Sequence, residues 1–198
     1  DWQTALTSVY MRALGNERPV VLTIHNLAFQ GQFPAGLFPY LHLPPETFSL
    51  DCLEYYGDMS FLKGGLMTSD TITTVSPTYA REILTQRFGM GMQGVLNLRR
   101  DRLRGILNGI DEDIWDPSND PYLPCCFDAD TPENRRHNRA ALIRELGIDE
   151  DEGPVLSAVS RLTWQKGMDM LAEAIPALLS HGMQLAVLGS GEPALEAA

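Results

Sequence analysis

The sequence predicts an α/β fold in which parallel strands alternate with helices. Short apolar runs of strand length recur along the chain, at residues 19–24, 71–75, 103–107, 155–159 and 184–188. Such runs are typical of parallel strands that are buried on both faces. Segments with apolar residues at helical spacing separate them, which is the connection that parallel strands need. We therefore expect parallel sheets with helices on both faces.

The first segments predict a helix, a strand and a long loop. Residues 2–14 place their apolar residues on one side of a helix, with Asp1 as a candidate N-terminal cap and Gly15 as a candidate C-terminal cap. After the first predicted strand, residues 26–48 are rich in proline, glycine and aromatic residues. Loops of that length are usually functional or are packed by their own side chains.

The middle of the chain continues the alternation and then changes in character. Residues 61–67 predict a short helix before the second strand. Ser76-Pro77 predicts the start of another helix, to about Thr85, because serine caps helices and proline suits the first helical position. Residues 108–124 contain asparagine, glycine, aspartate and proline, which favours a connection between two domains.

The last third predicts a second α/β unit. Thr131-Pro132-Glu133 indicates the start of a helix that runs to Leu146, with Gly147 directly after it. The strand at residues 155–159 is expected to be buried, and residues 168–179 repeat apolar side chains at helical spacing.

Composition excludes several classes of function. The length of 198 residues suggests one or two domains, and 44% hydrophobic residues is a globular value. A net charge of −11 without a basic stripe argues against nucleic acid as a partner. No apolar run is long enough to span a membrane, and no signal peptide opens the chain. Three cysteines offer neither a disulfide framework nor a metal-binding spacing, so we expect a cytoplasmic protein without a metal.

Two cations flank the first strand-to-helix turn of the second unit. Arg161 follows the strand at residues 155–159, and we expect Lys166 in the first turn of the next helix. Open α/β sheets bind ligands at this edge, where a helix N-terminus favours anions. A guanidinium and an ammonium suit a diphosphate. An ordinary turn with two solvated cations explains the pattern equally well.

Four further residues follow predicted strands. Gly189 and Gly191 would let backbone approach a ligand closely, although a tight turn is about as consistent with them. His25 ends the first strand, where a buried histidine bonded to backbone is the simplest interpretation from the residues alone. Asn108 precedes a glycine, which is a strong turn signal.

Seven stretches together resemble one known family. They are Asp1-Trp2, Thr23–Gly31, Ser60–Leu66, Thr74–Glu82, Leu107–Asp111, Ser160–Gly167 and Leu188–Glu192. In this order and at near-family spacing they resemble the bacterial glycogen synthase and starch synthase family of glycosyltransferases. Each stretch is weak by itself, but the ordered set extends over essentially the whole chain.

The resemblance implies two doubly wound parallel-sheet domains that face each other across a cleft, the GT-B type, both incomplete in this chain. Residues 1–110 would be the later part of the acceptor-side domain, 111–130 the connection, and 131–198 the earlier part of the nucleotide-binding domain. The family's N-terminal lysine-glycine loop and its late pair of glutamates are missing from the 198 residues. We therefore expect an internal fragment that has no measurable synthase activity by itself.

The resemblance also implies a reaction, namely transfer of glucose from ADP-glucose to the non-reducing end of an α-1,4-glucan with retention, without cofactor or metal. The sugar-side residues would be Asp1, His25 and Asn108, and the donor would contact Arg161, Lys166, Gly189 and Gly191. Another two-domain glycosyltransferase, such as a sucrose-forming or mannosyl enzyme, is one alternative. A non-catalytic glucan-binding fragment is the other. The oligomeric state stays open.

Overall fold

The computed structural model describes residues 1–148 and 153–197 and divides the chain into two compact units, Asp1–Gly109 and Ile110–Ala198. Both units are α/β structures that contain parallel strands, as the sequence predicts. None of the helices in the described residues is both long and apolar enough to cross a membrane.

The first unit contains four helices and six strands. The helices are α1 (Trp2–Ala13), α2 (Phe61–Thr68), α3 (Pro77–Glu82) and α4 (Gln93–Leu98). The strands are β1 (Val21–Ile24), β2 (Gln32–Phe33), β3 (Glu54–Tyr55), β4 (Asp58–Ser60), β5 (Thr71–Thr74) and β6 (Leu103–Gly105). The predicted strands are therefore present, but the first begins two residues later and the third ends two residues earlier than predicted.

A three-stranded parallel sheet forms the centre of the first unit, in the order β1-β5-β6. The register pairs Leu22 with Ile72 and Ile72 with Leu103, and all three side chains are buried. Because the three strands run in the same direction, their carboxyl ends lie at one edge of the sheet. The segments that begin with His25, Val75 and Ile106 all leave the sheet at this edge.

The long segment after β1 contains structure that the sequence pattern did not predict. Strands β2, β3 and β4 form a small antiparallel sheet in the order β2-β4-β3. Beneath it, Leu53 and Met59 are buried, and the Phe33 and Phe61 rings are 4.6 Å apart between centroids. Within residues 26–48, Leu43 is buried in the same cluster and the Phe38 and Phe48 rings are 5.3 Å apart between centroids, so the segment is packed by its own side chains, which is one of the two expectations for a loop of this length.

The caps of two helices follow the sequence prediction. Gly15 has φ +69°, its N–H donates to the Arg12 carbonyl and the Asn16 N–H donates to the Met11 carbonyl, which together close α1 in a Schellman motif. The Ser76 hydroxyl accepts the backbone N–H groups of Thr78 and Tyr79, each at 3.1 Å. Helix α3 ends at Glu82, however, and not near Thr85.

The predicted capping of α1 by the side chain of Asp1 is wrong. The Thr4 N–H donates to the Asp1 backbone carbonyl, and the Asp1 carboxylate makes no capping bond. Its oxygens are used instead at the end of β1. A stronger set of donors at the sheet edge has therefore displaced the local cap.

The described residues of the second unit contain three helices and two strands. The helices are α5 (Arg135–Leu146), α6 (Met168–Ser180) and α7 (Pro193–Glu196), and the strands β7 (Val155–Val159) and β8 (Gln184–Leu188) are parallel. A 3-10 turn, Pro132–Asn134, has Thr131 at its N-cap position and leads directly into α5, so helical backbone begins where predicted although its first turn is 3-10. Gly147 ends α5 at φ +64°, as predicted.

Two expectations about the second unit are wrong. Lys166 lies in a separate 3-10 turn, Trp164–Lys166, and Gly167 with φ +69° intervenes before α6 begins. Strand β7 is not buried, because each of its residues is half-buried or exposed and Val159 is 75% exposed. Within the described part of this unit, β7 pairs with β8 alone, and the buried apolar residues are Ile143 and Leu162.

Helix α2 lies close against α1 because glycine faces it. A Cβ added to Gly65 would lie 2.7 Å from the Ala5 Cβ and 2.9 Å from the Ala5 carbonyl oxygen. Gly94 in α4 provides a matched helical position, since nothing lies within 4 Å of a Cβ added there. The two glycines separate the effect of packing from the effect of helix propensity.

We predict that Gly65→Ala lowers the free energy of unfolding by about 1–3 kcal/mol, because the two helices must move apart. Gly94→Ala should raise it by about 0.5–1 kcal/mol, because alanine is the better helix former. Chemical denaturation of the two variants measures both changes. Equal stabilisation by the two substitutions would contradict the close helix contact.

A second contact fixes α1 to the start of β5. The Asp70 carboxylate accepts the Val20 N–H at 2.8 Å and pairs with Arg12 at 2.8 and 2.9 Å. The hydrogen bond from Val20, then the nearby Arg12 charge, holds the pKa of Asp70 below its ordinary value. Asp101, by comparison, is 3.8 Å from Arg100 and has a 93% exposed side chain.

We predict that Asp70→Asn lowers the melting temperature at neutral pH, whereas Asp101→Asn leaves it unchanged. A depressed pKa means that the folded state favours the carboxylate. The stabilisation is therefore present above the ordinary value of 3.8 and is lost as the pH falls through the lower folded-state pKa. Thermal unfolding as a function of pH should show the gap between native protein and Asp70→Asn closing in that acidic range. A gap independent of pH would contradict it.

Candidate functional site

His25 and Asp1 meet at the carboxyl end of β1. The Asp1 Oδ1 atom accepts the His25 backbone N–H at 2.7 Å and the Asn26 backbone N–H at 3.4 Å. The Asp1 Oδ2 atom lies 3.3 Å from His25 Nδ1. The His25 side chain is 59% exposed, so the interpretation as a buried histidine is wrong. One carboxylate thus holds both the backbone and the ring of His25.

The contact between Asp1 and His25 favours one tautomer of the imidazole. The Asp1 carboxylate beside Nδ1 favours the neutral tautomer that has its proton on Nδ1, which leaves the Nε2 lone pair available as an acceptor. The backbone nitrogen of Asp1 donates to the Thr23 carbonyl at 2.6 Å, which fixes the carboxylate beside β1. The arrangement can accept a hydrogen bond from a hydroxyl group of a ligand.

Three further side chains hold the segment that follows His25. The Asn26 Oδ1 atom accepts the Ala28 N–H at 3.0 Å, and the Tyr79 hydroxyl accepts the Leu27 N–H at 3.2 Å. The Gln30 amide is 8% exposed and donates to backbone carbonyls. Sequence reasoning assigned no role to Tyr79 or Gln30. Their polar side chains in apolar stretches were the available signal, and only their tertiary partners give it meaning.

Asn108 and His25 share no hydrogen bond in the part of the chain that the structure describes. Asn108 is exposed and lies three residues beyond the end of β6. Strand β5 separates β6 from β1, so the two strand ends are about 10 Å apart at the usual strand spacing. Both residues do follow strands at the same edge. The sugar-binding role of Asn108 stays a prediction.

Arg161 and Lys166 are both exposed at the carboxyl end of β7. Neither forms an ion pair with any of the described residues. Between them, the Leu162 N–H donates to the Ser190 carbonyl at 3.0 Å, and the Glu192 N–H donates to the Leu162 carbonyl at 2.9 Å. These bonds fix the backbone from which both cations extend. Their convergence on one anion stays a prediction.

Gly189 and Gly191 are required by backbone packing. A Cβ on Gly189 would collide with the Ser160 carbonyl oxygen, and one on Gly191 would collide with the backbone of Leu162. The Gly191 N–H donates to the Glu196 carboxylate at 2.7 Å. Sequence reasoning predicted close approach to a ligand, and the close approach observed is to the neighbouring loop. A contact with the nucleotide stays a prediction.

One of two cavities lies at the predicted site residues. A cavity of about 290 Å³ lies beside Asp1 and His25, between α1 and β1. A larger cavity of about 750 Å³ lies beside α5 and β7, and its lining includes neither Arg161 nor Lys166. In residues 1–148 and 153–197, no group of three or more His, Cys, Asp or Glu could hold a metal ion.

Comparisons with known proteins agree on one family. Residues 1–98 match the model of the starch synthase catalytic domain. The chain is 55% identical to glycogen synthase 1 of Rhizobium meliloti (strain 1021) and 54% identical to glycogen synthase of Rhizobium tropici, covering 100% of this chain and 42% of each relative. The catalytic domain of starch synthase IV from Arabidopsis thaliana, bound to ADP and acarbose, matches with a TM-score of 0.89 and 32% identity, covering 100% of this chain and 42% of that one.

These units are therefore α/β structures of the GT-B class, in which glycosyltransferases are built. The chain belongs to the glycogen synthase and starch synthase family. It spans about two-fifths of the length of the curated relatives that it matches.

We predict that neutral His25 carries its proton on Nδ1 and that Asp1→Asn shifts this proton toward Nε2, because the carboxylate acceptor is lost. Long-range ¹H–¹⁵N spectra of the four histidine rings, recorded at about pH 8, above the usual range of histidine titration, measure the tautomer. His137, which is exposed on α5, should be unchanged in the variant. A native His25 ring with its proton on Nε2 would contradict the assigned contact.

Proposed function

We propose that the protein to which this chain belongs transfers glucose from ADP-glucose to the non-reducing end of an α-1,4-glucan with retention of configuration. The observation that carries the proposal is the Asp1–His25 pair, displayed at an exposed strand end in a chain 55% identical to a glycogen synthase. An imidazole held in one orientation suits a polyhydroxylated sugar better than it suits an apolar ligand.

The first unit would act on the transferred sugar. Asp1 uses its oxygens to hold His25, so it acts as a positioning residue, and His25 Nε2 accepts a hydrogen bond from a glucosyl hydroxyl. Asn108, from the same edge of the sheet, would supply an amide that both donates and accepts. Fixed groups of this kind lower the entropic cost of orienting the sugar for transfer.

The second unit would act on the leaving group. As the bond to glucose breaks, negative charge develops on the phosphate oxygens of ADP. Arg161 and Lys166 would stabilise this charge, and removal of one such contact typically costs about 3 kcal/mol of barrier. We propose that no metal or organic cofactor takes part, since two fixed cations can compensate the diphosphate charge. The ADP and acarbose bound to the Arabidopsis neighbour support a nucleotide and a glucan-like ligand.

The expected partners are therefore ADP-glucose and an α-glucan. The proposal includes neither nucleic acid nor a membrane, in line with the net charge of −11. A cytoplasmic location stays a prediction. The two alternative functions, another nucleotide-sugar transferase and a non-catalytic glucan-binding protein, make different predictions in the experiment below.

The test is incorporation of labelled glucose from ADP-glucose into glycogen by the complete protein that contains this chain. We predict that Lys166→Ala and Arg161→Ala each lower kcat about 100-fold. Both side chains are exposed, so the melting temperature should be unchanged. Arg100→Ala, which removes another exposed cation, serves as the matched control and should keep full activity.

Two results would contradict the proposed reaction, and a third would contradict the role of the two cations. Transfer from a different nucleotide sugar, with none from ADP-glucose, would favour another two-domain glycosyltransferase. Glucan binding without nucleotide binding or transfer would favour a non-catalytic protein. Unchanged kinetics in both cation variants would remove their phosphate role.

A further inference from the structure

Met90 has an unusual backbone conformation. Its φ is +47°, in the left-handed region that non-glycine residues rarely adopt. It lies between Gly89 and Gly91, and Gly91 has φ +86°. Strain of this kind persists only where the surroundings fix the backbone, and it concentrates at functional sites. Chain connectivity alone does not explain why Met90 has this backbone conformation.

The surroundings fix the loop from two sides. A Cβ on Gly89 would lie 2.7 Å from the Thr85 carbonyl oxygen and 2.8 Å from that of Ile83, so the backbone there is tightly packed. The Met92 N–H donates to the Gly89 carbonyl at 2.7 Å, and the Met92 side chain is completely buried. The chain therefore enters the buried core two residues after Met90, at Met92.

Gln30 connects this loop to the His25 segment. Its Nε2 atom donates to the Met90 carbonyl at 2.8 Å and to the Leu27 carbonyl at 3.3 Å. The Gln30 Oε1 atom accepts from Gln32 at 2.7 Å, so both ends of the buried amide are used. Leu27 lies two residues after His25. One side chain therefore holds the Met90 loop beside the segment that carries the sugar-side histidine.

The Met90 side chain itself remains 46% exposed, although its neighbours Met92 and Leu96 are fully buried. A locked backbone that displays a large apolar side chain is not explained by core packing. Methionine adapts to irregular apolar surfaces, because it is unbranched and has three rotatable side-chain bonds. The C–H faces of glucosyl rings are surfaces of this type.

We propose that Met90 contacts the glucan acceptor and that Gln30 is the positioning residue that holds Met90 next to the His25 segment. This inference rests on the proposed function. The contact is apolar and involves only the acceptor, so it affects glucan binding and leaves the donor and the bond-breaking step unchanged.

The first test is Met90→Ala in the complete protein that contains this chain. The KM for a short α-1,4-glucan should rise about fivefold to tenfold, in line with the loss of a half-buried methionine contact. The KM for ADP-glucose and kcat at saturating glucan should stay within about twofold. Met170→Ala, which truncates a 72% exposed methionine on α6, is the matched control and should change nothing. An unchanged glucan KM in Met90→Ala overturns the proposal.

Met90→Gly separates a binding role from a packing role. Glycine adopts φ +47° without strain, so the melting temperature should rise, while the glucan KM rises as in Met90→Ala. A packing role predicts the reverse, namely a lower melting temperature with an unchanged glucan KM. That result would also overturn the proposal.

Gln30→Leu tests the positioning role, since it removes the amide and keeps most of the volume. It should raise the glucan KM by about the same factor as Met90→Ala, and the double variant should be no worse than either single variant. Additive effects would show that Gln30 does not act through Met90. Gel retardation in glycogen measures glucan binding without transfer, so a failure of ADP-glucose transfer remains distinguishable from a failure of this inference.

Discussion

The contact on which the site depends is the one between the Asp1 carboxylate and the backbone of His25 and Asn26. Hydrogen bonds from backbone N–H groups to a carboxylate are about twice as strong as neutral ones. This contact joins the start of α1 to the end of β1, and the same carboxylate reaches the His25 ring. The position of the exposed imidazole is thereby restrained, and the proposed contact of His25 with a sugar hydroxyl depends on this restraint.

In the second unit, the loop that carries Arg161 and Lys166 is held by backbone packing and not by a charged side chain. Gly189 and Gly191 lie so close to the backbone of the loop after β7 that a side chain at either position would collide with it. Backbone hydrogen bonds extend the β7–β8 pairing past the ends of both strands. They are made by Leu162, which is buried and lies between the two cations in the sequence. Arg161 and Lys166 therefore extend from a fixed loop although their side chains are exposed.

The first unit has two apolar clusters, one at each of its two sheets. One cluster lies under the parallel sheet and includes Ile24, Ile72 and Met92. The other lies under the small antiparallel sheet and includes Leu53 and Met59. Gln30 lies where these two clusters meet. Its backbone carbonyl accepts hydrogen bonds from the Ser60 hydroxyl and from the Leu62 N–H. Polar groups buried at such a junction specify one loop arrangement when every atom has a partner.

The sequence by itself determined the structural features that depend only on residues close together in the chain. Apolar periodicity located α1, α2, α6 and the five parallel strands, but it predicted neither α4 nor α7. Gly15 and Ser76 were correctly identified as caps, because a cap needs only the adjacent turn. The tertiary structure decided what depends on distant partners. It turned the Asp1 carboxylate from α1 to His25, placed Lys166 in a turn before α6, and left β7 partly exposed. Periodicity is local, whereas burial and hydrogen-bond partners are set by residues far apart in the chain, and for that reason Tyr79 and Gln30 emerged only from the structure.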